Sequence, residues 1–105
     1  MRWNVVYSAR ARSDLRNIYE YIAYGLLAPE TAAGQTRRIM KEIRVLDGMP
    51  MRHPVYKEEP WSRQGVRYFP VDNYLVFYLP DESQNMVNII RIMYGGRDIS
   101  KQLSK

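Results

Sequence analysis

Val66-Arg67-Tyr68-Phe69-Pro70-Val71, then Tyr74-Leu75-Val76-Phe77-Tyr78, then Asn88-Ile89-Ile90-Arg91-Ile92-Met93-Tyr94-Gly95-Gly96-Arg97-Asp98 is the stretch that decides the fold. Aromatic and β-branched residues dominate all three runs, and Asp72-Asn73 and Pro80-Asp81-Glu82-Ser83 between them are turn signals. The stretch reads as a meander of three strands, Arg67 to Val71, Tyr74 to Leu79 and Met86 to Tyr94, ended by Gly95-Gly96. Arginines stand in it where a plain sheet needs only apolar residues. Burying a guanidinium is costly, so each one needs a carboxylate or phosphate partner, or an exposed working face.

Strict alternation in the last run puts Ile90 and Ile92 on one face and Ile89, Arg91 and Met93 on the other. One face suits packing under helices. The other, which presents Arg91, is expected to be covered or to bind. A purely structural alternative pairs Arg91 with an acid such as Asp98 or Glu59.

Upstream, Trp3 to Tyr7 reads as an opening strand and Ser8 as the N-cap of a helix from Ala9 to about Tyr24. Leu15, Ile18, Tyr19 and Ile22 give that helix one apolar face, and Gly25 suits its end. Pro29 precedes a second helix, Glu30 to about Asp47, with Ala32, Thr36, Ile39, Ile43 and Leu46 toward the core; Gly48 and Pro50 close it. Residues 49–64 carry Pro50, Pro54 and Pro60 and read as irregular. The expected fold is α+β in the order β-α-α-β-β-β: a small, mainly antiparallel sheet packed on a helical hairpin, with residues 1–105 as a single domain.

A chain of 105 residues has room for one modest core, burying about 65% of the unfolded surface. Cysteine is absent, so disulfide frameworks and thiolate metal sites are excluded. The first residues lack the apolar run of a signal peptide and no stretch approaches transmembrane length, so a cytoplasmic protein with no membrane partner is expected. The formal net charge of +5 suits nucleic acid, the ribosome or an acidic protein.

No phosphate-binding glycine loop, dinucleotide fingerprint or zinc-protease helix is present. The single histidine, His53, has no second ligand near it in sequence, so neither a metal nor a cofactor is expected. What remains is Arg67, Tyr68, Tyr74, Tyr78, Arg91, Tyr94 and Arg97. Guanidinium forks match phosphate oxygens, and tyrosine can carry a proton or stack on a base. Metal-free RNA cleavage by the ribose 2′-hydroxyl needs a proton acceptor, cations for the crowded phosphate and a donor for the leaving oxygen.

At these residues the chain resembles the RelE/ParE superfamily, the toxins of bacterial type II toxin–antitoxin modules. Ala11-Arg12-Ser13-Asp14-Leu15-Arg16-Asn17-Ile18-Tyr19-Glu20-Tyr21-Ile22 is close to the family's first helix, "A-x-x-D-L-x-x-I-x-x-Y-I". Arg67 opens the second strand, Asn73-Tyr74-Leu75-Val76-Phe77-Tyr78 fits the third, and Ile90-Arg91-Ile92-Met93-Tyr94-Gly95-Gly96-Arg97-Asp98-Ile99 looks like the ending "R-V-x-H-G-x-R-D-I". Tyr94 stands where many relatives have His, and Leu75 where RelE-type nucleases often carry a catalytic Arg. No tyrosine follows Asp98, where such nucleases often have one.

The resemblance implies a toxin neutralised by a cognate antitoxin, with operator DNA reached only through that antitoxin. Two modes of action follow from it. In the first, the toxin is a ribosome-dependent, metal-independent mRNA endonuclease with Arg67, Arg91, Arg97 and Tyr94 as its catalytic set. In the second, it inhibits DNA gyrase by binding, without nuclease chemistry. A decayed toxin that survives as an antitoxin-binding partner is the third reading.

Overall fold

The computed structural model, which describes residues 2–96, runs β1 (Asn4–Tyr7), α1 (Ala9–Glu20), α2 (Pro29–Arg44), α3 (Trp61–Gln64), β2 (Arg67–Val71), β3 (Tyr74–Asp81) and β4 (Met86–Tyr94). The expected β-α-α-β-β-β order holds, with the short α3 added inside the proline-rich segment. The sheet order is β1-β4-β3-β2. β2, β3 and β4 form the expected antiparallel meander, and β1 joins it by pairing parallel to β4, from Asn4 opposite Met86 to Tyr7 opposite Ile89. The sheet is therefore mixed.

Packing, more than capping, holds the helices. At the start of α2, Ala28 offers no side-chain cap; Pro29 instead fits the first helical turn, where an N–H would have no partner. Ile39 and Ile43 of α2, and Leu46 just beyond it, are fully buried beside Ala11. They lie against Phe69, Val76, Tyr78, Val87, Ile89 and Ile92. Full burial of each aliphatic side chain stabilises the contact by roughly 1.5–3 kcal/mol.

The opposite face of the sheet is also covered. Tyr56 and Trp61, from the segment expected to be irregular, pack with Val66 over Phe77 and Met93. The chain leading into β2 shields the outer edge of that strand as well. Val66 N–H bonds to the Trp61 carbonyl and Tyr68 N–H to the Pro54 carbonyl, each at 3.1 Å. Pro70, next on that edge, has no N–H to offer.

Two details depart from the sequence expectation. First, Tyr78 pairs with Ile89 but Phe77 pairs with Arg91, so Ile90 is an extra residue, a β-bulge. Strict alternation fails there: Ile89 and Ile92 share the helix-side core, and Ile90 joins Met93 on the other face. Second, α1 does not run regularly to Tyr24. Residues Tyr21–Gly25 form a π-helical turn, with Leu26 N–H bonding to the Tyr21 carbonyl at 3.0 Å. The left-handed residue at the hairpin is Leu27 (φ 54°), not a glycine.

Ser8 joins the two layers. Its Oγ accepts the Ala11 N–H at 3.0 Å, capping α1, and donates to the Ile90 carbonyl at the bulge, also at 3.0 Å. Its own N–H bonds to the Ile89 carbonyl. Ser8→Ala removes both side-chain bonds and is expected to cost about 1–2 kcal/mol of unfolding free energy in urea titration.

Candidate functional site

The bulge that breaks the alternation of β4 also positions Arg91. Beyond Ile89, β1 has ended and Ser8 has turned the chain into α1, so the edge of β4 meets a helix. Asp14, one turn into α1 from Ala11 on the buried side, fills that place. Its Oδ2 accepts Arg91 Nε at 2.8 Å and the Ile92 backbone N–H at 2.9 Å, and its Oδ1 accepts Arg91 Nη2 at 3.1 Å. The side chains of Arg91 and Asp14 are only 14% and 11% exposed. The carboxylate thus replaces the missing strand carbonyl and neutralises the arginine with a bidentate fork. The structural alternative, an acid paired with Arg91, is the one found, but the acid is Asp14. Glu59 instead lies beside Arg63, and Asp98 is outside the described residues.

Arg67 is engaged elsewhere. Its Nη1 donates to the His53 carbonyl at 2.6 Å and to the Met51 carbonyl at 3.2 Å, tying the proline-rich segment to β2. Tyr78 reinforces the tie by donating its hydroxyl to the Pro50 carbonyl at 2.8 Å; burial raises that phenol's pKa. The His53 ring stacks on Phe69 with centroids 4.4 Å apart. Burial foremost, and then the charge of Arg52, pushes the imidazole pKa down.

Tyr94 ends β4 opposite Tyr74, their rings 5.8 Å apart and nearly edge-to-face. The backbone of Gly96 lies against this ring, and a Cβ there would come within 2.6 Å of it. Burial, with the neighbouring Tyr94 and Tyr21 phenols, raises the Tyr74 pKa. Arg67 is registered with Tyr78 and Tyr94 with Tyr74, so these two positions lie about 13 Å apart along β3. Arg97 lies outside the described residues. Of the four residues expected to form a catalytic set, the described three therefore divide: Arg67 stands apart, Arg91 and Tyr94 line one groove, and both described arginines hold protein groups.

What the structure does gather is an open groove of about 660 Å³ between α1 with its π-helical turn and the ends of β3 and β4. Asn17, Tyr21, Gln35, Tyr74, Met93 and Tyr94 are among its lining residues, with the Asp14–Arg91 pair on its wall. The hairpin end beside it is unusually apolar for a surface: Tyr21, Tyr24, Leu26 and Leu27 are 61%, 71%, 57% and 83% exposed. The π-helical turn and the left-handed Leu27 present these side chains outward, a geometry seen often at functional sites. Sequence reasoning missed this end because it placed Tyr21 and Tyr24 in a regular helix. The signal was there in three adjacent residues, Gly25-Leu26-Leu27, which put apolar side chains where a turn is normally polar.

Among the described residues no cluster of three His, Asp or Glu side chains could hold a metal ion, and no helix is long and apolar enough to cross a membrane. A family model described as the ParE toxin of the type II toxin–antitoxin system parDE matches residues 5–99. No curated protein sequence is significantly similar. Solved structures share the fold. A chain of the chromosomal ParDE toxin–antitoxin system from P. aeruginosa superposes with a TM-score of 0.72 at 20% identity, covering 89% of this chain and 96% of that one. A chain of the RelBE2 toxin–antitoxin complex from Mycobacterium tuberculosis gives 0.62 at 20% identity, covering 90% and 99%. The isolated E. coli RelE toxin gives 0.55 at 11% identity, covering 97% and 94%.

Asp14→Ala leaves the Arg91 guanidinium buried without a counter-charge and the Ile92 N–H without an acceptor. The expected loss is about 3–5 kcal/mol in urea-induced unfolding, against about 0.5 kcal/mol or less for Arg16→Ala on the exposed side of the same helix.

Proposed function

The chain belongs to the ParE toxin family of type II toxin–antitoxin systems, and on that premise we propose that it arrests growth by holding DNA gyrase through protein contact, with no bond-making chemistry of its own. The Asp14–Arg91 pair carries this reading. Cleaving a phosphodiester without metal requires cations aimed at one phosphate, yet Arg91 is held by a carboxylate and Arg67 by backbone carbonyls. Leu75, at the position where RelE-type nucleases often carry an arginine, contributes to the apolar cluster on the far face of the sheet.

The exposed hairpin end supports a binding role in its own right. Tyr21 and Tyr24 are the residue type that most often anchors protein interfaces, and Leu26 and Leu27 extend the apolar surface around them. The cognate antitoxin, an acidic and partly disordered chain, would silence the toxin by covering this end in competition with gyrase.

Purified toxin added to gyrase is expected to abolish DNA supercoiling, while primer extension on mRNA from a translating extract shows no codon-register cuts. Cuts without an effect on gyrase would establish the ribosome-dependent endonuclease instead. Two substitutions separate binding from folding. Tyr24→Ala should leave the unfolding midpoint nearly unchanged yet raise the concentration for half-inhibition of gyrase about tenfold or more. Leu27→Gly relieves the left-handed backbone and should match or exceed wild-type stability to within about 1 kcal/mol, again with weaker inhibition.

A further inference from the structure

The outer side of the helical hairpin carries five cations that neither the core nor the groove uses. On α2, Arg37, Lys41 and Arg44 are exposed and fall at i, i+4 and i+7, so they form one stripe along the helix. It lies directly opposite the buried positions Ala32, Ile39 and Ile43. On α1, Arg12 and Arg16 are exposed one turn apart on the flank away from Asp14. Arg44 reaches the junction of the two layers: its charge opposes the burial that raises the Tyr7 phenol at the end of β1. The ion pairs among the described residues use Arg2, Arg38, Arg63 and Arg91, and none of these five.

We propose that this face binds the phosphate backbone of duplex nucleic acid, without reading its sequence. Arg37 to Arg44 spans about 10 Å of helix axis, and along that length a B-form duplex presents roughly one phosphate charge every 1.7 Å. Four of the five cations are arginines, whose planar forks suit phosphate oxygens. Single strands fit less well, because they are held by stacking bases on aromatic rings, and no aromatic residue lies on the stripe. Tyr21 and Tyr24 are at the hairpin end instead. An acidic protein fits less well for the same lack of aromatic anchors. The proposal does not depend on gyrase being the target. It adds a direct contact with nucleic acid to the antitoxin-mediated one that the family resemblance implies.

Fluorescence anisotropy of a labelled 20-base-pair DNA duplex of arbitrary sequence, titrated with full-length protein between 50 and 200 mM salt, tests it. Five phosphate contacts predict that log K falls with log salt at a slope of about −4.5. Arg37→Ala/Lys41→Ala/Arg44→Ala should flatten the slope by about 2.7, and Lys41→Gln alone by about 0.9. Arg52→Ala/Lys57→Ala/Arg63→Ala removes the same charge from the proline-rich segment and α3, and should change the slope by less than about 1. Competition by an RNA duplex separates the sources: equal competition identifies the shared backbone as the ligand, and weaker competition identifies DNA, both supporting the site. Equal flattening by the two triple variants would reduce the binding to diffuse net charge and overturn the proposal. So would tighter binding of a single-stranded 20-mer or a polyglutamate peptide than of the duplex.

Discussion

A carboxylate placed where a β-strand runs out of neighbours is the constraint on which the rest of this structure depends. β1 covers the edge of β4 only as far as Ile89. Past that point the edge would face a helix with its N–H groups unpaired, a cost of about 1–3 kcal/mol for each buried group. Ser8 satisfies the Ile90 carbonyl and Asp14 the Ile92 N–H, so side chains from the start of α1 continue the ladder. The bulge at Ile90 then lets Arg91 reach Asp14 while Ile89 and Ile92 keep facing the core. Helix, bulge and strand are fixed by one set of bonds. A buried ion pair of this kind adds little net stability over an apolar substitute. Its contribution is to fix how the hairpin sits on the sheet.

The same bonds decide what the surface can do. With Arg91 neutralised and Arg67 spent on holding the proline-rich segment, the strand face expected to grip phosphate is occupied by structure. Two of the features left over lie on the hairpin: exposed tyrosines and leucines at its end, and arginines along its outer side.

The element order was legible because the signals are local. Ser8 before a helical period, prolines at helix ends and turn residues between β-branched runs each act within a few residues. The ending around Arg91 identified the family for the same reason. The partner of Arg91 was hidden by distance, since Asp14 lies 77 residues earlier. A hint existed: Asp14 stands three residues after Ala11 and four before Ile18, on the apolar side of its helix, where an unpaired acid would be costly. The bulge could not be read at all, because an extra residue leaves no mark in an otherwise apolar run. That single residue moved Ile89 and Ile90 to the faces opposite those expected. Likewise, a π-helical turn and a left-handed leucine carry no composition of their own, so the exposed hairpin end emerged only with the backbone.

If Arg91 serves the fold and not a reaction, its charge is dispensable once Asp14 is neutralised with it. The most direct measurement is growth arrest by the double variant Asp14→Asn/Arg91→Gln, expressed without antitoxin and checked for a cooperative unfolding transition. The amide oxygen introduced by Asp14→Asn keeps an acceptor for the Ile92 N–H, and the neutral pair leaves no buried charge. The double variant is expected to fold and to arrest growth as the wild type does. A protein that folds with near-wild-type stability yet no longer arrests growth would contradict the account and return Arg91 to the chemistry of the toxin.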